Sequence, residues 1–177
     1  LNGFQTFIPH MIEHGEESHL MTTVSMAGLL SGDGTYGVSK HAVMALTEGV
    51  NRDLHLRGAN ISVSALCPGF VDTNIDKAER NRPGHLSPSG GYAVEAKINP
   101  VAPLLRRGKK PSEIADIAFD AINNDVFYIL SHPIYDDLIR DRFDKILSRK
   151  PLALLSADEM AQLMARFFAP RDDGESY

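Results

Sequence analysis

Tyr36 and Lys40 are the residues of this chain whose types and spacing most directly indicate chemistry. Residues four positions apart share one face of a helix, so a helix here places a phenol beside an ammonium group. A free tyrosine has a pKa of about 10. A nearby cation favours the phenolate and lowers that value. The pair therefore predicts a tyrosine that serves as a general acid or base near neutral pH.

A serine and a Pro-Gly pair flank this helix in the sequence. The run Leu20–Ser25 is apolar and β-branched, which predicts a strand that ends in the serine. The predicted helix, Tyr36–Leu56, leads to a second strand, Ile61–Leu66, which Pro68–Gly69 breaks. In open α/β sheets, ligands bind outside the carboxyl ends of the strands. We therefore expect the Ser25 hydroxyl to donate to a substrate oxygen that gains negative charge.

The rest of the chain continues the alternation of helices and strands. A helix with Pro9 inside it precedes the first strand, and Gly15 closes it. Beyond the second strand, the sequence predicts an irregular segment over 74–110, a helix over 111–123, a strand over 126–130, and helices over 134–148 and 157–168. This order predicts an α/β fold with a parallel sheet.

Three sequence blocks resemble consecutive landmarks of the short-chain dehydrogenase/reductase family. They are Val24-Ser25-Met26-Ala27-Gly28, Tyr36-Gly37-Val38-Ser39-Lys40 and Cys67-Pro68-Gly69-Phe70-Val71-Asp72-Thr73. The resemblance implies a Rossmann-like, doubly wound parallel sheet whose N-terminal half is missing from this chain. It also implies that residues 1–177 are one partial domain, with a substrate lid over 74–110 and C-terminal helices over 134–168.

The resemblance assigns roles to individual residues. Tyr36 would donate a proton in carbonyl reduction and accept one in alcohol oxidation. Lys40 would assist Tyr36 and hold the nicotinamide ribose, and Ser25 would polarise the substrate oxygen. The implied catalytic residues are Ser25, Tyr36 and Lys40, and the implied cofactor-binding residues are Tyr36, Lys40, Pro68, Gly69, Val71 and Thr73.

The implied cofactor is NAD or NADP, and the sequence does not distinguish them. The residues that select between the two lie in the first half of such domains, which this chain lacks. Gly28–Gly34 contains glycines at dinucleotide-loop spacing, but Asp33 would place a carboxylate in a phosphate pocket. We interpret this segment as an active-site loop instead.

The composition and net charge of the chain limit the kinds of partner that it could bind. The 177 residues carry a net charge of −5, which argues against a nucleic-acid partner, and no run approaches the roughly 20 apolar residues of a membrane span. The single cysteine, Cys67, stands in an apolar run and is expected to be a buried thiol in a cytoplasmic protein. His10 and His14 lack a third ligand, so no metal site is predicted.

The family resemblance implies a homodimer or homotetramer, and the apolar residues of the 74–110 segment indicate a hydrophobic alcohol or ketone as substrate.

Two other functions fit the same residues. A lyase, epimerase or dehydratase of this fold could use the Tyr36–Lys40 pair, and its cofactor would end each cycle in its starting state. A non-catalytic scaffold that binds a cofactor would show binding without turnover. The oxidoreductase is the reading that accounts for Ser25, Tyr36 and Lys40 together.

Overall fold

The structure is a computed structural model, and it describes residues 1–31, 34–81, 83, 102–152, 158, 161, 162 and 165. The α-helices are α1 (Asn2–His14), α2 (Gly34–Leu56), α3 (Ala102–Arg106), α4 (Pro111–Asn123) and α5 (Asp136–Leu147). The strands are β1 (Ser18–Thr23), β2 (Ile61–Cys67) and β3 (Tyr128–Leu130). Short 3-10 helices occupy Met26–Gly28, Ile75–Asn81 and Pro133–Tyr135. Among these residues, no helix is both long enough and apolar enough to cross a membrane.

The described chain divides into two compact units. The first contains Leu1–Gly69 and Ala115–Leu154, and the second contains Phe70–Ile114 and Leu155–Ser176. The single partial domain over residues 1–177 stays a prediction. The predicted helix over 157–168 lies largely outside the described residues, and so do residue 82 and the stretch 84–101 of the predicted lid over 74–110.

The first unit contains a parallel sheet in the order β1-β2-β3. Ser18 pairs with Ile61 and Thr23 with Leu66, while Cys67 of β2 pairs with Leu130 of β3. The central strand β2 is the most buried, with Ala65 and Cys67 fully shielded from solvent. A strand buried on both faces is typical of parallel sheets that helices cover. The predicted α/β fold with a parallel sheet is therefore confirmed.

Helices α1 and α2 pack on this sheet through their apolar residues. Leu54 of α2 forms a core with Ile61 and Val63 of β2, and Ile8 and Met11 of α1 pack against that core. Helix α1 ends as predicted at Gly15, which adopts φ 69° and donates its N–H to the Met11 carbonyl at 3.2 Å. A left-handed residue at this position is easiest for glycine, which has no Cβ.

The observed boundaries differ from the predicted ones where the backbone makes unusual turns. Strand β1 ends at Thr23 instead of Ser25, because Ser25 has a positive φ and starts a 3-10 turn. Strand β3 begins at Tyr128, two residues later than predicted, after Asp125 turns with φ 52°. The short helix α3 was not predicted, since Pro100, Pro103 and Gly108 lie close together and favour a loop.

Candidate active site

Ser25 lies just beyond the carboxyl end of β1 in a strained conformation. Its backbone has φ 89° and ψ 155°, and its Oγ accepts the Ala27 N–H at 3.3 Å. Non-glycine residues rarely adopt such angles, which cost about 1–3 kcal/mol and tend to occur at functional sites. Ser25 N–H donates to the Leu66 carbonyl at 3.3 Å, so β2 holds the turn from the other side.

Tyr36 and Lys40 lie in the first two turns of α2, as the sequence predicts. The Lys40 Nζ atom is 5.6 Å from the centroid of the Tyr36 ring, within the range of a cation–π contact. Nζ also donates to the Thr23 carbonyl at 3.3 Å, at the end of β1. Lys40 thus connects the phenol to the strand that leads into Ser25. Tyr36 is 50% exposed, so a small molecule can reach it.

Gly28 allows the Ser25 turn to lie against α2. A methyl group in place of its hydrogen would overlap Val24 Cγ1 and would lie 2.9 Å from the Lys40 carbonyl oxygen. Val24 and Gly28 are both buried, so neither can move aside into solvent. The absence of a side chain at position 28 therefore sets how close Ser25 and the Lys40 segment come.

Pro68 and Gly69 follow β2 and reach the same turn. Met26 N–H donates to the Pro68 carbonyl at 3.0 Å, which ties the predicted cofactor-lining pair to the residue after Ser25. Gly69 N–H donates to His132 Nδ1 at 3.1 Å. The carboxyl ends of all three strands therefore join in one hydrogen-bonded edge.

His132, Tyr135 and Arg142 support this edge, and the sequence analysis missed them. His132 and Tyr135 are 4% and 7% exposed, and the Tyr135 ring packs on Gly69. Arg142 Nη1 of α5 donates to the Leu29 carbonyl at 2.9 Å, directly after the Ser25 turn. The signal for His132 was its place two residues after the end of a predicted strand, because ligands bind at the carboxyl ends of parallel strands.

Val71 and Thr73 belong to the second unit, so their predicted contact with the cofactor stays a prediction. Val71 forms a parallel bridge with Lys109. The Thr73 carbonyl accepts from Arg106 Nη1 at 3.0 Å, and Thr73 Oγ1 accepts the Ile75 N–H at 3.4 Å. These bonds fix the backbone that follows the Pro-Gly pair.

Arg106 organises this part of the second unit. It bonds Asp72 at 2.8 Å and Asp76 at 3.0 Å, and the hydrogen bond to Asp72 raises the pKa of Arg106 further above its already high value. The pair with Asp72 is open to water, where ion pairs add little stability, while the Asp76 side chain is 11% exposed. Their role is to hold the segment in one conformation.

Cys67 is fully buried beneath the site, as expected of a structural thiol. Burial raises the pKa of Cys67 to about 12, and its Sγ lies 3.6 Å from the Ala65 carbonyl. A thiol in this environment is not ionised at neutral pH and is a poor nucleophile. Among the described residues, no group of three or more histidine, cysteine or acidic side chains could hold a metal ion.

The chain is similar in sequence to known dehydrogenases. The sequence model of the short chain dehydrogenase family matches residues 1–84. The CLA biosynthesis dehydrogenase/reductase of Lactiplantibacillus plantarum is 34% identical over 148 residues, which are 80% of this chain and 52% of that protein. The 1-deoxy-11-beta-hydroxypentalenate dehydrogenase of Streptomyces arenae is 30% identical over 88% of this chain and 50% of its own length.

A solved structure shows the same arrangement of elements. It is a short chain dehydrogenase/reductase from Burkholderia phymatum in complex with NAD, with 38% identity and a TM-score of 0.78. The match covers 87% of this chain and 57% of that one. The chain thus spans about half the length of the curated relatives it matches.

Proposed function

Because this chain belongs to the short-chain dehydrogenase family, we propose that the protein is an NAD- or NADP-dependent oxidoreductase that interconverts a secondary alcohol and a ketone. The observation that carries the proposal is the position of Lys40. Its ammonium group lies between the Tyr36 ring and the Thr23 carbonyl, at the ligand-binding edge of a parallel sheet.

The donors at this edge suit a nicotinamide nucleotide. Lys40 carries three N–H donors and Tyr36 one hydroxyl, and together they match the adjacent hydroxyls of a ribose. A bound nicotinamide supplies the hydride acceptor for an alcohol or the hydride donor for a ketone. The NAD in the Burkholderia phymatum relative supports this class of cofactor, while the choice between NAD and NADP stays open.

Tyr36 moves the proton in the proposed reaction. In the reductive direction its hydroxyl donates to the oxygen of the carbonyl, and in the oxidative direction its phenolate takes the proton of the alcohol. Lys40 places a positive charge 5.6 Å from the centre of the ring that carries out both transfers. A positioned acid or base of this kind contributes about 10²–10⁴ to the rate.

Ser25 orients the substrate oxygen. Its Oγ accepts the Ala27 N–H through a lone pair, so the O–H hydrogen remains a donor. The strained backbone and the bonds to β2 fix where that donor points. A preorganised donor stabilises negative charge on the substrate oxygen without reorganisation during the reaction.

The substrate proposed is a hydrophobic alcohol or ketone of medium size. Apolar residues in the predicted lid support this proposal, as does the hydroxylated compound in the name of the Streptomyces arenae relative. Val71 and Thr73, together with Pro68 and Gly69, are proposed to line the nicotinamide.

A homodimer or homotetramer in the cytoplasm is proposed as the working form. Helix α2 carries a stripe of exposed apolar and small residues that would let a second helix approach closely, namely Val38, Ala42, Ala45 and Gly49. Such a contiguous apolar surface is typical of an interface. The single cysteine, which is free and buried, agrees with a reducing compartment.

The test is Tyr36→Phe in the protein expressed from its complete reading frame, assayed with a panel of hydrophobic alcohols and both cofactors. We expect kcat/KM to fall about 10²–10⁴-fold because the proton donor is lost, while the cofactor still binds through Lys40. The matched control is Tyr128→Phe, since the Tyr128 hydroxyl bonds Glu48 on the outer part of α2. That control should keep the wild-type rate.

Two outcomes would contradict the proposal. Activity retained in Tyr36→Phe would remove the phenol as acid or base. Substrate conversion without net change in the near-ultraviolet absorbance of the reduced nicotinamide would identify a lyase or epimerase instead.

A further inference from the structure

Beyond the residues that the family model matches, a buried polar group contacts the proposed cofactor edge. Ser131 and His132 are 2% and 4% exposed, and they follow β3 directly. The family model ends at residue 84, so it assigns nothing to this segment. Burying two polar side chains is costly unless they form hydrogen bonds, and theirs lead to Gly69.

The hydrogen bonds fix the protonation of the histidine ring. Gly69 N–H is a donor, so His132 Nδ1 must accept and carries no hydrogen. Ser131 Oγ lies 2.9 Å from the same atom and therefore donates its own hydrogen to it. The neutral ring then has its hydrogen on Nε2. His132 Nδ1 is therefore the acceptor for both donors, which share its single lone pair.

The Tyr135 ring packs directly against Gly69. A methyl group on Gly69 would overlap Tyr135 Cε2 and would lie 3.1 Å from both Cζ and the hydroxyl oxygen. The His132 and Tyr135 rings pack edge to face, with centroids 6.2 Å apart and planes at 62°. The glycine peptide is therefore held by a hydrogen bond and by an aromatic wall from one short segment.

We propose that His132 is a positioning residue that sets the orientation of the Pro68–Gly69 backbone against the nicotinamide. This inference rests on the proposed function. The carbonyl of the same peptide group, that of Pro68, accepts from Met26 N–H at 3.0 Å, one residue from Ser25. Fixing Gly69 therefore also fixes the turn that presents the serine hydroxyl. Misplacement by about 1 Å at such a site can lower a rate about 100-fold.

Three variants of His132 distinguish its role as a hydrogen-bond acceptor at Nδ1 from its role in packing. His132→Asn keeps an acceptor oxygen near the Nδ1 position, while His132→Gln places its amide group farther out, near the Nε2 position. His132→Phe keeps a ring and has no acceptor. His55→Asn, at the exposed end of α2, is the matched control.

The first measurement is the dissociation constant of NADH and of NADPH, determined by fluorescence titration. It uses the protein expressed from its complete reading frame, at a temperature below that at which it unfolds. We expect about tenfold weaker binding in His132→Gln and His132→Phe, because the half-buried Gly69 N–H loses its partner. His132→Asn should recover most of the affinity, and His55→Asn should match the wild type. Equal affinity in the Asn and Gln variants would overturn the proposal.

The second measurement does not depend on cofactor or turnover. Hydrogen exchange of the Gly69 amide, followed by NMR, should speed up at least tenfold in His132→Gln and stay slow in His132→Asn. If the wild type binds no nicotinamide nucleotide, the proposed function fails, and this exchange still reports whether His132 holds the turn. If His132→Phe does not fold, the Asn–Gln pair decides. Unchanged exchange in His132→Gln would contradict the assigned hydrogen bond.

Discussion

Replacing Gly28 by alanine is the most direct test of how the Ser25 turn is held against α2. The added methyl group would lie 2.9 Å from the Lys40 carbonyl oxygen and 3.2 Å from its carbonyl carbon, in addition to overlapping Val24 Cγ1. The optimal separation of two carbon atoms is about 3.5–4.0 Å. Neither obstacle is a flexible side chain, because one is helix backbone and the other is a fully buried valine. The turn itself must therefore shift.

Both stability and activity should respond to this shift. Overpacking a well-packed core costs about 1–3 kcal/mol, so the free energy of unfolding should fall by about that amount in denaturant titrations. A displacement of Ser25 by about 1 Å should lower kcat/KM about 100-fold. Gly3→Ala is the control, because nothing lies within 4 Å of the added methyl in α1, and alanine is the better helix former there.

The two measurements refute different parts of the reasoning. Unchanged stability in Gly28→Ala would show that the turn and the helix are not in tight contact. A lower stability with full kcat/KM in the folded fraction would show that the contact does not position Ser25.

Two further predictions concern backbone strain and pH. The free energy of unfolding of Ser25→Gly should be about 1 kcal/mol higher than that of Ser25→Ala, because glycine adopts φ 89° without strain. In both variants kcat/KM should fall about 100-fold, because the hydroxyl is lost. Equal stabilities would mean that position 25 stores no strain. Burial and the hydrogen bond to Glu48 raise the pKa of Tyr128 from 10.0 to about 12. The folded state therefore binds the Tyr128 proton more tightly than the unfolded state does. The resulting stabilisation of the folded state is present below pH 10 and is lost as the pH rises towards about 12. The unfolding free energy of wild type should therefore fall more steeply over that interval than that of Tyr128→Phe, and parallel curves would contradict the assigned hydrogen bond.

Local patterns in the sequence were sufficient to predict most of the first unit. The apolar run that contains Cys67 predicts the buried central strand, Gly15 marks the end of α1, and the spacing of Tyr36 and Lys40 places both on one helical face. Each of these features depends on residues within about one helical turn or one strand. Short-range geometry is therefore enough to predict them.

The supports of the site could not be predicted in the same way. Gly69 and His132 are 63 residues apart, and Leu29 and Arg142 are 113 residues apart. No local pattern encodes such contacts. The positive φ of Ser25 was also missed, because serine seldom adopts it and only the surrounding bonds to β2 enforce it. The segment after β3 therefore contributes to the site through contacts that its own sequence does not indicate.

The long separations between these contacts also affect the order of folding. Closing a loop between distant residues is entropically unfavourable, and contacts of high sequence separation slow folding. During synthesis, β1, α2 and β2 can pair before residue 132 leaves the ribosome, but the Pro68–Gly69 peptide and the Leu29 carbonyl receive their partners only afterwards. We therefore expect the edge that carries the proposed chemistry to be among the last parts of the first unit to become rigid.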